Sequence, residues 1–367
     1  MAKYKFPFKI PKDLDWIMLT AVIILIALAI SVIYSTTYND PATSGLALYH
    51  GIYAIIGFVI AGILIFIDYR AIRSYYLILY ILGLALLILV LIFGKTVFGA
   101  TRWIDFGFFQ LQPSEIFKLI LILFLAKIFS DTKELNLKKL FIIFILVLIP
   151  VSLVLAEPDL GTALVFIIVT LGMLIIAGLR KIYLLGIGVL AIVASPIAWI
   201  LLRDYQKQRI LTFLNPTSDP FGAGYNVLQS IIAVGSGRIT GQGLGYGTQS
   251  QLDFLPIKHS DFIFAVFAEE LGFIGAIILL LLFLLLIIRI IRVAKVASDD
   301  FGMLVASGIA IMFIAQILIN VGMNLGIMPV TGIPLPFISS GGTSLIVNLV
   351  SVGILLSIVS RHRKLVF

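Results

Sequence analysis

The sequence predicts an all-α polytopic membrane protein of about ten transmembrane helices, with both termini cytoplasmic and a long extracellular loop between helices 7 and 8. Three observations carry this. The 367 residues are 61% hydrophobic and only 12% charged, more apolar than a soluble domain of this size requires. Apolar runs long enough to cross a hydrocarbon core as helices recur along the chain. Basic residues are also distributed asymmetrically between alternate connections.

The expected spans are 15–36, 47–68, 73–94, 111–130, 139–156, 160–179, 182–202, 261–289, 302–324 and 338–360. The first follows Lys3, Lys5, Lys9 and Lys12. Its apolar core is too long for a signal-peptide core, so it reads as a retained helix. Counted by connection, 18 of the 26 Lys and Arg fall on the side of the N-terminus. These include Arg70, Arg73, Lys127, Lys133, Arg180, Lys181, Arg289, Arg292, Arg361, Arg363 and Lys364. The positive-inside rule makes that side cytoplasmic. The net charge of +8 is therefore topological and no argument for nucleic acid. The absence of Cys excludes disulfides and thiolate chemistry. The whole chain, 1–367, reads as one integral-membrane domain.

The opposite side carries the unusual material. Residues 99–119, GATRWIDFGFFQLQPSEIFKL, begin with Trp103, Phe106, Phe108 and Phe109, which suit a membrane interface. Pro113 suits a helix's first turn, Glu115 its dipole, and Lys118 either pairs with Glu115 or faces a cavity. The turn at 154–165 places Glu157 and Asp159 between two apolar runs; Asp159 can cap the following helix, which leaves Glu157 unexplained. The loop at 203–260 is polar, aromatic and glycine-rich. Within it, 225–234 reads as a short helix lying on the membrane. Alternate glycines at 241, 243, 245 and 247 read as extended chain.

Next comes LPIKHSDFIFAVFAEELGFIG, 255–275. Ser260 is the expected N-cap of a helix carrying Asp261, Ala265, Ala268 and Gly272 within about 40° of each other. On that helix Glu269 lies too deep to act with Asp261, so Glu269 and Glu270 are expected to be structural. Lys258 would lower the pKa of Asp261 and a closing apolar pocket would raise it. The Pro- and Gly-rich segment 324–344 ends in Ser339, Ser340, Gly341, Gly342 and Thr343, and reads as an anion site at a helix start or as ordinary helix packing.

Taken together, RWIDFGFFQLQPSEIFK (102–118), AEPDLGTAL (156–164), the run from DYQKQRILTFLNP (204–216) to GTQSQLDFLP (247–256), KHSDFIFAVFAEELG (258–272) and PVTGIPLPFISSGGTS (329–344) resemble the SEDS family of bacterial cell-wall proteins. The likeness spans essentially the whole chain, and it is nearer the family's elongation branch than its division branch. Two positions depart from the pattern: Ile257 replaces a common acid and Ser340 a common Tyr. The resemblance implies a peptidoglycan glycosyltransferase of the bacterial cytoplasmic membrane. It would polymerise lipid II on the outer face beside a class B penicillin-binding protein and the elongation machinery. It marks Asp261 as the essential acid, and maps other functional positions to Arg102, Glu115, Lys118, Glu157, Asp159 and Arg209.

A transferase acting on a polyprenyl diphosphate sugar needs a base for the attacking hydroxyl. Asp261 is the candidate. Lys118, Arg102 and Arg209 are candidates for holding the leaving-group charge, with backbone N–H groups near Ser339 and Ser340 in addition. Lys258 and His259 are placed at the mouth. A divalent cation, Mg or Mn, is a further means of neutralising that charge, although no acidic cluster on this face makes a ligand set. A lipid transporter and a non-catalytic scaffold share the broken helices and intramembrane charges. The gathering of polar residues on one face, away from the midplane, favours the enzyme.

Overall fold

The computed structural model describes residues 14–361, apart from 39, 42, 98–99, 108, 133, 221, 223 and 256. Lys3, Lys5, Lys9, Lys12, Phe108, Lys133, Arg363 and Lys364 lie outside the described residues. Every expected span contains a helix. In chain order the helices are α1 (Trp16–Thr37), α2 (Leu46–Phe66), α3 (Tyr69–Ser74), α4 (Tyr76–Phe93), α5 (Pro113–Ser130), α6 (Leu137–Ala156) and α7 (Leu160–Ile176). Then follow α8 (Lys181–Leu201), α9 (Asp204–Leu214), α10 (Tyr225–Ser236), α11 (Thr248–Gln251), α12 (Ile263–Val296), α13 (Asp300–Asn324) and α14 (Gly342–Val359). Among the described residues, seven helices (α1, α2, α4, α6, α12, α13 and α14) are long and apolar enough to cross a membrane.

Local chemistry sets many of the starts. Asp15, Asp68, Asn136, Asp159 and Asp299 each accept a backbone N–H from the first turn of α1, α3, α6, α7 and α13. Pro113 opens α5, where its missing N–H costs nothing. Packing then sorts the helices. The apolar windows of α13 and α14 are 78% buried, while those of α2 and α4 are 22% buried. The first pair is therefore the centre of the bundle, and the second turns an apolar face outward. α5 packs on α4, α13, α7 and α14, and α14 lies along α2.

Two parts depart from the sequence expectation. The chain is not wholly helical. Lys95–Val97 (β1), Ala100–Asp105 (β2) and Gln110–Leu111 (β3) form a small antiparallel sheet in the order β1-β2-β3. Trp103 sits within it, opposite Lys95. Short strands without a long alternating pattern leave little trace in a sequence.

The run 261–289 is not a straight helix capped by Ser260 either. α12 starts at Ile263 after Phe262, which makes no side-chain cap, and the helix is broken at Gly272 (φ 68°, ψ −169°). The break exposes backbone groups that the glycine-rich loop takes up. Gln242 and Gly243 donate N–H to the carbonyls of Glu269 (3.0 Å) and Glu270 (2.9 Å). Phe273 and Ile274 donate to Arg238 (2.9 Å) and Ile239 (3.1 Å).

The two buried acids complete this seam. Glu269 accepts the amides of Gln249 (2.7 Å) and Ser250 (3.1 Å) at the start of α11. Glu270 accepts the Gly245 amide (3.0 Å) and the Ser35 hydroxyl from the end of α1 (2.7 Å). Both are structural, as expected, but what they hold is the loop rather than a neighbouring helix alone.

A Cβ at Gly272 would run into the Gly241 amide nitrogen in a left-handed backbone. Gly272→Ala is therefore expected to destabilise the protein by roughly 2 kcal/mol or more and to open residues 241–250 to protease. Thermal unfolding and limited proteolysis of the purified protein check both effects. Unchanged cleavage would show that the seam is not the loop's anchor.

Candidate active site

The connections at one end of the bundle converge. They are the small sheet, the 157–159 turn, α9, α10, the turn before α12 and residues 330–341. Between them lies a cavity of about 440 Å³ lined by Arg102, Pro158, Tyr205, Arg209, Asn226 and Val330, among others.

Arg102 reaches from β2 to the 157–159 turn. Its Nε donates to the Glu157 carbonyl (3.4 Å), its Nη2 donates to the Pro158 carbonyl, and its Nη1 stands 3.9 Å from Asp159 Oδ1. Asp159 also caps α7, accepting the Thr162 amide (3.1 Å) and hydroxyl (2.8 Å). Capping and ion pairing are thus both present at that residue. Glu157 is fully buried, and neither of its carboxyl oxygens has a hydrogen-bond partner. Burial, with Asp159 adding to it and Arg102 opposing, pushes its carboxyl up to about 9, so it is protonated at neutral pH.

Arg209 sits on α9 with its guanidinium 5.8 Å from the Tyr205 ring centre. Burial, then Arg102, lowers its pKa, while Tyr205, Asp261 and Asp159 oppose. Asp261 lies against the Arg102 side of the cavity. Its Oδ2 and Arg102 Nη1 are both within 4.0 Å of the point where a Cβ at Gly332 would stand. Gly332 has φ 74°, so this close approach and this backbone both require glycine.

Burial raises the pKa of Asp261; a hydrogen bond from Ser260 (3.1 Å), Arg102 and Arg209 oppose it. Of the two influences weighed from the sequence, burial wins. The opposing cations are the two arginines and not Lys258. Lys258 Nζ instead donates to the Ser250 carbonyl (2.6 Å) and to Asp253 (2.7 Å).

The remaining candidates stand apart from the cavity wall. Glu115 and Lys118 form a buried pair at 2.6 Å, the local ion pair that their spacing allows. Ser339 accepts the Leu335 amide and donates to the Ser260 carbonyl, both at 2.8 Å, while the Ser340 amide donates to the His259 carbonyl (3.0 Å). These serines brace the turn that carries Asp261. For a divalent cation the fit fails: among the described residues no three His, Asp or Glu side chains cluster to hold one, and the carboxylates of Asp159 and Asp261 face arginines.

Three residues were not singled out from the sequence. Asn320 and Asn324 of α13 each donate an amide N–H to the Asp261 carbonyl at 3.1 Å. Tyr205 lines the cavity one turn before Arg209. A pair of asparagines four apart on one face of an apolar run was the available signal.

A family model described as cell cycle protein, covering FtsW, RodA and SpoVE, matches residues 13–364. The chain belongs to that family. Over 312 residues it is 41% identical to a protein named peptidoglycan glycosyltransferase MrdB from Escherichia coli K12, covering 84% of each chain. Over 369 residues it is 39% identical to a probable peptidoglycan glycosyltransferase FtsW from Trichlorobacter lovleyi, covering 96% of this chain and 94% of that one. A solved chain from a study of polymerisation and crosslinking by a peptidoglycan synthase complex superposes with a TM-score of 0.81 at 31% identity, covering 96% and 99%. The rod shape determining protein RodA of Thermus thermophilus superposes at 0.72 with 29% identity, covering 96% and 98%. The motifs that carried the SEDS resemblance supply Arg102, the 157–159 turn, Arg209 and Asp261 of this one site.

Between the ordinary value of 4.5 and about 9, folded Glu157 keeps a proton that the unfolded chain releases. Stability therefore falls as pH rises across that window. Glu157→Gln removes this loss. The variant is expected to be more stable than the parent by on the order of 2 kcal/mol at pH 8, with the gap closing toward pH 5. Unfolding measured at both pH values checks the sign.

Proposed function

We propose that this protein is a peptidoglycan glycosyltransferase that polymerises lipid II into β-1,4 glycan strands, with Asp261 as general base. The observation that carries this reading is a half-buried carboxylate beside a cavity walled by two arginines. A base and a positive wall are what the transfer requires, and relatives named peptidoglycan glycosyltransferases support a peptidoglycan precursor as the substrate. Asp261 takes the proton from the 4-hydroxyl of the acceptor sugar as that oxygen attacks the anomeric carbon of the donor. The bond from that carbon to the diphosphate oxygen breaks, and polyprenyl diphosphate leaves with the electron pair. Direct displacement inverts the anomeric centre, and the diphosphate needs no proton to depart. Its charge is met by the arginine side of the cavity.

The charge bias of the connections supports an active site on the outer face of a bacterial cytoplasmic membrane, with ten spans, both termini inside and the long loop outside. The motif versions and the MrdB and RodA relatives support a role in elongation. A class B penicillin-binding protein is the partner this reading supplies, as the source of crosslinking for the new strand. Buried pairs such as Glu115–Lys118 also suit a lipid transporter, but the site at the bundle's end, with a base beside it, suits chemistry better.

The test is polymerisation of labelled lipid II by purified protein with its transpeptidase partner. Asp261→Asn is expected to reduce strand formation by at least about 10²-fold while folding and partner binding persist. The parent's rate should fall as pH drops through the folded pKa of Asp261, which lies above the ordinary 3.8, because only the carboxylate accepts the proton. Full activity in the variant would sink the base role. Lipid scrambling in liposomes by parent and variant alike, without polymer, would replace the enzyme with a transporter.

A further inference from the structure

The two arginines of the cavity are in different chemical states. Arg102 directs all three guanidinium nitrogens at the 157–159 turn: two bond backbone carbonyls and the third faces Asp159. Arg209 Nη1 is closed off from solvent and has no hydrogen-bond partner among the described residues. The Tyr205 hydroxyl oxygen is in the same state. Both residues line the cavity from one face of α9, four positions apart, with the guanidinium over the tyrosine ring. Two buried polar groups beside the cavity are thus left without partners, which is costly. A ligand that brings acceptors removes that cost.

We propose that Tyr205 is a substrate-binding residue that works with Arg209 as a paired donor to an oxyanion of the ligand, while Arg102 positions the turn. Beside a guanidinium, an anion is the ligand to which a phenolic O–H donates most favourably. The pair offers two N–H and O–H donors and a positive charge but no carboxylate of its own. That pattern fits phosphate oxygens and not a sugar ring, which would call for acceptors as well. The inference rests on the transferase reading for the identity of the oxyanion, the diphosphate of the polyprenyl-linked substrate. Tyr205 then contributes to holding the leaving group, whereas Asp261 acts on the attacking hydroxyl.

The experiment measures binding of polyprenyl diphosphate and polyprenyl monophosphate to the purified full chain, without turnover. It compares the parent with Tyr205→Phe, Arg209→Lys and Arg102→Lys. Tyr205→Phe keeps the ring and its stacking, and should weaken diphosphate binding about tenfold with an unchanged unfolding temperature. Arg209→Lys should weaken it at least as much. Arg102→Lys should lower the unfolding temperature, because Arg102 braces the 157–159 turn. In polymerisation assays Tyr205→Phe should raise KM for lipid II, and its acid limb should match the parent's because the base is untouched. Parent-like diphosphate affinity in both α9 variants would overturn the proposal. Because binding is read without turnover, a failure of the Asp261 test would leave this result standing, and the reverse holds too.

Discussion

The carbonyl of Asp261 accepts two amide N–H groups from α13, one from Asn320 and one from Asn324, and much of the site depends on this clamp. Asp261 is not on a helix; it sits in the turn before α12, where backbone position would otherwise be loosely set. The same two asparagines extend the hold outward. Asn320 donates to the Ile333 carbonyl (2.8 Å), Asn324 Oδ1 accepts the Ala265 amide (3.1 Å), and the Asn324 carbonyl accepts the Ser230 hydroxyl (2.9 Å). One face of α13, at the centre of the bundle, thus ties together the turn bearing the acid, the segment with Gly332, the start of α12 and the loop helix α10. Such fully paired polar networks, buried where water cannot substitute, define a single geometry.

Charge balance follows from that placement. Arg102 and Arg209 line the cavity with Asp159 and Asp261 near them, while Glu157 remains neutral because it is buried without a partner. If Glu157 were ionised, a third carboxylate would stand beside Arg102. Keeping one acid protonated lets the same turn hold Arg102 through its carbonyls without adding a third negative charge beside it.

The break in α12 anchors the glycine-rich loop. A helix interrupted at Gly272 offers carbonyls and amides at membrane depth, which is tolerable only if another segment takes them. The 238–243 chain does so, and Glu269 and Glu270 pin the loop beyond it. The glycine-rich loop is therefore stitched into the bundle through backbone bonds rather than resting on it.

The span pattern, the charge bias and five motifs in order were legible in the sequence, because length, hydropathy and residue type do not depend on packing. The Asp159 cap, Pro113 at a helix start, the Glu115–Lys118 pair and the short helix at α10 were legible for the same reason: each is a local interaction within four residues. Distances between segments far apart in the chain were not. Ser260 reads as a cap until the turn is seen to be held by Asn320 and Asn324, some 60 positions on. Lys258 reads as the neighbour of Asp261 until its ammonium is seen to face Asp253 while Arg102 and Arg209 stand near the acid. The motif resemblance and its place at the entrance of an apolar run nominated Asp261. Only the tertiary structure decided which cations surround it, which of them is already bonded, and which acid stays neutral, because burial and charge proximity are properties of the packed chain.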